Sequence, residues 1–233
     1  MRLIRKMLMV LSLSFMAAAA GAAVGNPENG KEYKLLERPQ PVESSKKIEV
    51  IEFFGYFCPH CNVLEPLLAD WVKKQGDNIV FKRVHVNFHG LASQQKLYYS
   101  LEAMGKIEEF HVKVFNAYHV DRNRLQTDAD VMDFVTKSGL DKQKFSDVYN
   151  SFAIQSKLSR SAQQMAAFQI DSVPTLVVDD GRYVTAPSMT AAGMGRVPEL
   201  GAESVTVSGI GLVDCKSAKR ERISGTPLIK AKR

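Results

Sequence analysis

Residues 53–61 read Phe53-Phe54-Gly55-Tyr56-Phe57-Cys58-Pro59-His60-Cys61. An apolar run leads straight into two cysteines separated by Pro-His, and the reading of this junction decides the fold. The chain has three cysteines in 233 residues, so a close pair is either a redox couple or half of a metal site. Upstream, Lys46 to Phe54 alternates and then fills with Ile48, Val50, Ile51, Phe53 and Phe54, the pattern of a buried central strand. Downstream, Leu64, Leu67, Leu68, Trp71 and Val72 recur at helical spacing between Pro59 and Gln75, with Lys73 and Lys74 complementing the dipole at the helix end. Pro66 inside that helix predicts a kink. Ile79 to Val86 reads as a second strand, and a strand, helix and strand in succession imply a parallel pair.

Beyond residue 91 the pattern turns helical: Leu97 to Met104, Ile107 to Tyr118, Asp128 to Lys137, Lys142 to Tyr149 and Phe152 to Phe168. Thr127-Asp128-Ala129-Asp130 reads as a helix cap with acids in the first turn, and Ser138-Gly139 as a stop. Tyr98, Tyr99, Phe110, Phe115 and Tyr118 lie at helical spacings and are expected to form the core of this block. Strands resume with Ser172-Val173-Pro174-Thr175-Leu176-Val177-Val178. Asp179-Asp180-Gly181 is a turn, and Arg182 to Ala186 returns antiparallel. The order β-βαβ-(helices)-ββ predicts an α/β fold in which an all-helical segment, residues 91–168, interrupts a strand-rich frame of residues 25–90 and 169–190. After Met189, Gly193, Gly195, Pro198, Gly201, Gly209 and Gly211 work against a helix, so residues 191–233 are expected to be a poorly ordered tail.

Residues 1–24 have the three parts of a signal peptide: Arg2, Arg5 and Lys6, an apolar run from Met7 through Ala20, then small residues around Ala20-Gly21-Ala22-Ala23. The apolar run is shorter than a membrane span needs, and Pro27 and Glu28 follow closely. The expected location is a bacterial periplasm. The formal charge of +6 does not imply nucleic acid, because the signal supplies three positive charges and residues 188–233 hold eight Lys or Arg against four acids. Residues 25–187 carry 20 basic and 21 acidic side chains, which excludes a basic groove. An exported protein with two closely spaced cysteines in its body uses them for something other than scaffolding.

A thiol attacks disulfides only as its thiolate, so a redox cysteine needs surroundings that stabilise negative charge. Cys58 falls at the start of a helix, where unpaired backbone N–H groups favour an anion. Pro59 suits the first helical position because it has no N–H to leave unused. His60 can add a positive or hydrogen-bonding group, and Cys61 lies one turn in. Cys58 is therefore expected to be the nucleophile and Cys61 the less exposed resolving partner. A zinc site would need two further ligands, and His85 and His89 are the only nearby pair. A purely structural disulfide would close a very short loop and restrain little entropy. Redox chemistry is the favoured reading.

Glu52 to Cys61, with His85-Val86-Asn87-Phe88, Ser172-Val173-Pro174 and Gly181-Arg182-Tyr183, resembles the DsbA family of periplasmic thiol oxidases over roughly residues 46–190. The resemblance implies a thioredoxin-like domain with an inserted all-helical domain. It implies that Cys58 forms the mixed disulfide with substrate, that Cys61 is its buried partner, and that Pro59 and His60 make the pair oxidising, His60 by stabilising the reduced thiolate. Val173-Pro174 is implied to be a cis-proline loop that faces the cysteines and pairs with the substrate backbone. Glu52, six residues before Cys58, and Arg83 match the family's buried acid and its basic partner in proton transfer. Arginine holds its proton more tightly than the family's lysine, which argues against Arg83 itself carrying protons; the alternative is a structural ion pair. The implied partners are unfolded exported proteins and a DsbB-like, quinone-linked membrane oxidase, with no cofactor, no metal and a monomeric state.

The rival readings are a disulfide isomerase or reductase of the same superfamily, and a non-catalytic binding or chaperone protein. Only about twenty residues separate the signal from the first central strand, too few for the N-terminal dimerisation domain of dimeric isomerases. DsbA-like proteins also end in a long amphipathic helix, which the glycines and proline after Thr190 forbid here. An altered C-terminus, for instance a frameshift, is the expectation, with Cys215 an idle thiol or one that mispairs with Cys58.

Overall fold

The structure is a computed structural model that describes residues 34–41, 47–178 and 183–185. The expectations for the signal, the turn at residues 179–182, the C-terminal tail and Cys215 lie outside the described residues. The central strand is β1 (Ile48–Phe54), followed by α1 (Pro59–Gln75) and β2 (Ile79–His85). β1 and β2 run parallel and in direct register, with Ile48 opposite Ile79 and Glu52 opposite Arg83. On its other edge β1 pairs antiparallel with β3 (Thr175–Val178), which pairs antiparallel with β4 (Tyr183–Thr185). The strand order is β2-β1-β3-β4. Of the strand expected before this unit, the described residues hold only an isolated bridge at Lys34.

Every residue of β1 is buried, as a strand covered on both faces requires. Because side chains alternate, Ile48 and Val50 meet Leu64, Leu68 and Trp71 of α1. Ile51 and Phe53 meet Met165, Phe168 and Ile170 on the opposite face. The same alternation sends Glu49 and Glu52 to opposite faces. Lys82 pairs with Glu49 at 2.7 Å and Arg83 pairs with Glu52 at 3.0 Å.

The helices between the strands are α2 (Ala92–Ala103), α3 (Ile107–His119), α4 (Asp128–Lys137), α5 (Lys142–Tyr149) and α6 (Phe152–Ala167). α2 begins five residues before its expected start at Leu97. Its first turn buries Ser93, Gln94 and Gln95, so no apolar periodicity announces it. Gln95 Nε2 donates to the His85 carbonyl at 2.6 Å, and Ser93 Oγ donates to the Leu125 carbonyl at 2.6 Å. α4 starts on a full capping box, in which Thr127 and Asp130 each accept from the other's backbone N–H. Tyr98, Tyr99, Phe110 and Phe115 are buried in the block, whereas Tyr118 is half-buried with the Arg124 guanidinium over its ring.

Helical block and sheet meet at Phe54. Its ring lies 5.0–6.1 Å from those of Tyr56, His85, Tyr98, His111 and Phe115. Tyr56, Cys58 and Cys61 belong to the same apolar cluster as the core of the helices. The two cysteines thus sit on the seam between the sheet and the inserted helices.

Candidate active site

β1 ends at Phe54 and the chain turns into α1 within four residues. Cys58 N–H donates to the Gly55 carbonyl at 3.0 Å, closing that turn. A methyl group on Gly55 would sit 2.3 Å from the Phe57 ring, so any larger residue there would have to displace that ring. Cys58 is the N-cap of α1, with extended backbone (φ −87°, ψ 116°), and Pro59 opens the helix. A cysteine sulfur therefore occupies the position in which a serine or aspartate oxygen usually accepts from the helix.

Both cysteines are reduced. Cys58 Sγ accepts from Cys61 N–H at 3.3 Å and donates to the Val173 carbonyl at 3.4 Å. The Cys61 thiol hydrogen bond, aided by the backbone N–H groups of Cys61 and His60, outweighs burial and holds the Cys58 thiol down to about 7. Burial, with the Cys58 hydrogen bond, pushes the Cys61 thiol well up. The expected difference in exposure is small, since Cys58 is 5% and Cys61 0% accessible. Electrostatics separates the two sulfurs more than access does. The His60 ring is exposed, and the His60 backbone N–H is among the groups that lower the Cys58 thiol. The Val173-Pro174 peptide bond is cis and stands directly over Cys58.

Beneath the cysteines lies a buried polar chain. Glu52 and Arg83 come together through the β1–β2 register, and Arg83 also reaches Glu65 of α1 at 2.7 Å. Burial pushes Glu52 up to about 8 against the pull of Arg83. Glu65 Oε2 meets His111 Nε2 at 3.2 Å, and His111 Nδ1 meets the Tyr56 hydroxyl at 2.9 Å. Three histidines hold the three polar groups of Tyr56. His85 Nε2 accepts from its N–H at 3.2 Å, His119 Nε2 donates to its carbonyl at 2.8 Å, and His111 meets its hydroxyl. His85 Nδ1 donates to the Val86 carbonyl at 2.8 Å, so both its nitrogens are occupied and neither is turned toward His89, whose ring lies against Phe57. Among the described residues no group of three or more His, Cys, Asp or Glu could hold a metal ion.

Sequence reasoning did not single out Glu65 and gave His85, His111 and His119 no catalytic role. The available signal was a charged or imidazole residue inside an apolar stripe: Glu65 beside Leu64 and Leu68 on α1, and His111 beside Phe110, Val114 and Phe115 on α3.

A mixed sheet carrying a Cys-Pro-His-Cys helix start, faced by a cis-proline loop and joined to inserted helices, defines a thiol:disulfide oxidoreductase of thioredoxin-like fold. The family profile described as DSBA-like thioredoxin domain matches residues 49–196, and the chain belongs to that family. The chain is 44% identical over 184 residues to the thiol:disulfide interchange protein DsbA of Burkholderia cepacia, covering 78% of this chain and 86% of that one. It is 38% identical over 178 residues to the DsbA of Pseudomonas aeruginosa strain PAO1, covering 76% of this chain and 82% of that one. The crystal structure of Pseudomonas aeruginosa DsbA superposes with a TM-score of 0.66 at 36% identity, covering 73% of this chain and 88% of that one.

Proposed function

We propose that this oxidoreductase is an exported thiol oxidase that donates a Cys58–Cys61 disulfide to unfolded proteins in the periplasm. A substrate thiolate attacks Cys58 Sγ, the Cys58–Cys61 bond breaks, and Cys61 leaves with the electron pair and takes a proton. A second substrate thiolate then attacks the substrate sulfur of the mixed disulfide, and Cys58 departs as thiolate. The substrate has lost two electrons and the protein has gained them. A DsbB-like, quinone-linked membrane oxidase removes them and restores the disulfide. Val173 and Pro174 line the approach to Cys58 and pair with the substrate backbone, and Glu52, hydrogen-bonded by Arg83, exchanges protons with Cys61.

The observation that carries this reading is the inequality of the two thiols: the Cys61 thiol, with the backbone N–H groups of the helix start, holds Cys58 down to about 7, while burial pushes Cys61 up. A stabilised leaving thiolate favours the dithiol, and a favoured dithiol is a strong oxidant when paired as a disulfide. Export rests on the signal-like residues 1–24; among the described residues no helix is long and apolar enough to cross a membrane. The test is equilibration of the purified protein with glutathione. A mildly oxidising buffer should leave Cys58 and Cys61 largely reduced, alkylation of Cys58 should follow a midpoint of about 7, and Cys61→Ser should accumulate the mixed disulfide. A pair that stays oxidised in that buffer defeats the proposal.

A further inference from the structure

Two buried carboxyls, Glu52 at 1% and Glu65 at 5% accessibility, share the single guanidinium of Arg83. One cation balances one carboxylate in a desolvated site, so a proton resides on one of the two acids. Hydrogen bonding distinguishes them. Glu65 has a donor on each oxygen, Arg83 on Oε1 and His111 on Oε2. Glu52 accepts from Arg83 on Oε2 only, and its Oε1 has no partner among the described residues.

The tautomer of His111 follows from Tyr56. The Tyr56 side chain is fully buried, and His111 Nδ1 is the acceptor its hydroxyl reaches. The hydroxyl therefore donates to Nδ1, which leaves the ring hydrogen on Nε2, aimed at Glu65. The ring is neutral in this arrangement, and burial draws its pKa down in the same sense. The charged and titratable groups around it are Glu65 from α1, Arg83 and His85 from β2, Tyr98 from α2, Glu108 from its own helix, Tyr56 before α1, and Glu52 through Arg83.

We infer that His111, supplied by the inserted helices, is a positioning residue of the redox centre: by donating to Glu65 it makes Glu65 the anion beside Arg83 and leaves the shared proton on Glu52. This deepens the oxidase reading and rests on it for its consequence. A negative charge on Glu52 raises the proton affinity of Cys61, so the two groups sense each other. When Cys61 leaves as thiolate, the proton passes from the Glu52 carboxyl to the Cys61 sulfur and Glu52 becomes the carboxylate; no electron moves in that step. On reoxidation the proton returns. A proton held on Glu65 would be on the wrong acid.

The experiment is a carboxyl carbon NMR titration of the reduced protein with labelled glutamate, in the native chain and in three variants. His111→Phe should lower the Glu52 midpoint by at least about one pH unit, a tenfold change in acidity. His111→Gln, whose amide can donate to Glu65 and accept from Tyr56, should restore the native midpoint. Tyr56→Phe, which removes only the hydroxyl and frees the tautomer, should lower the midpoint by less and serves where His111→Phe does not fold. An unchanged Glu52 midpoint in a folded His111→Phe or Tyr56→Phe protein overturns the inference, as does a His111→Gln midpoint that matches His111→Phe. The titration needs no thiol exchange. Variants that show the expected shifts, with a native chain that oxidises no substrate, reject the oxidase reading alone.

Discussion

Glu52 lies on the α1 face of β1, and its burial makes stability depend on pH. Its folded pKa is about 8 against an ordinary value of 4.5. Between those values the unfolded carboxyl is ionised while the folded one keeps its proton, so the native state binds more protons and stability falls as pH rises. Glu52→Gln removes that slope. The variant should be more stable than the native reduced protein by up to about 3 kcal/mol near neutral pH, shrinking toward zero as pH approaches the ordinary carboxyl range. Urea unfolding at several pH values measures it, and a gain independent of pH would contradict the assignment. Arg83 keeps its pairing with Glu65 in the variant, which limits the damage. Glu52 was legible as a costly buried acid because it interrupts an apolar strand. Glu65 and His111 also interrupt apolar stripes, but nothing local to either helix says that they meet each other and Arg83.

Among the elements, α1, α4 and α5 run from the first to the last residue expected, since each begins on an identifiable cap: Cys58, Thr127 and Asp141. α4 is ten residues long, too short to hold without its ends. Thr127→Ala removes one acceptor of its capping box and should cost about 1 kcal/mol in thermal melting, leaving Cys58 alkylation unchanged. An unaltered melting temperature would place the stability of α4 in its packing alone. α2 shows the opposite case. Its buried Ser93, Gln94 and Gln95 bind backbone carbonyls of β2 and of the loop before α4, a pattern that hydrophobic periodicity does not register.

Across the whole molecule, the shared cluster of Phe54, Tyr56, Cys58 and Cys61 with Leu97, Phe110, Val114 and Phe115 makes sheet and helices one continuous core. Disturbing the junction should therefore be felt by both. His85 lies there, and burial lowers its pKa to about 3 from the ordinary 6.5. Between these values the unfolded imidazole binds a proton that the folded one refuses, so the native state binds fewer protons and stability falls as pH drops through that window. The slope is at most about 1.4 kcal/mol per pH unit. Backbone and aromatic circular dichroism should show the same acid transition, and His85→Asn should flatten the dependence. Separate transitions for the two signals would mean that the helices and the sheet do not share a core.

The sequence by itself determined the βαβ unit, the interruption by helices, and the dithiol at a helix start. Periodicity, caps and the Cys-Pro-His-Cys spacing are local properties, legible wherever a few neighbouring residues set the backbone. The family resemblance added Glu52 and Val173-Pro174 as residues to pair with the cysteines. Only the tertiary structure decided what surrounds them: that Val173 accepts from Cys58, that Arg83 is shared by two acids, and that three histidines from two elements grip Tyr56. Those contacts join residues tens of positions apart, and their strength comes from excluding water, a property no single segment carries.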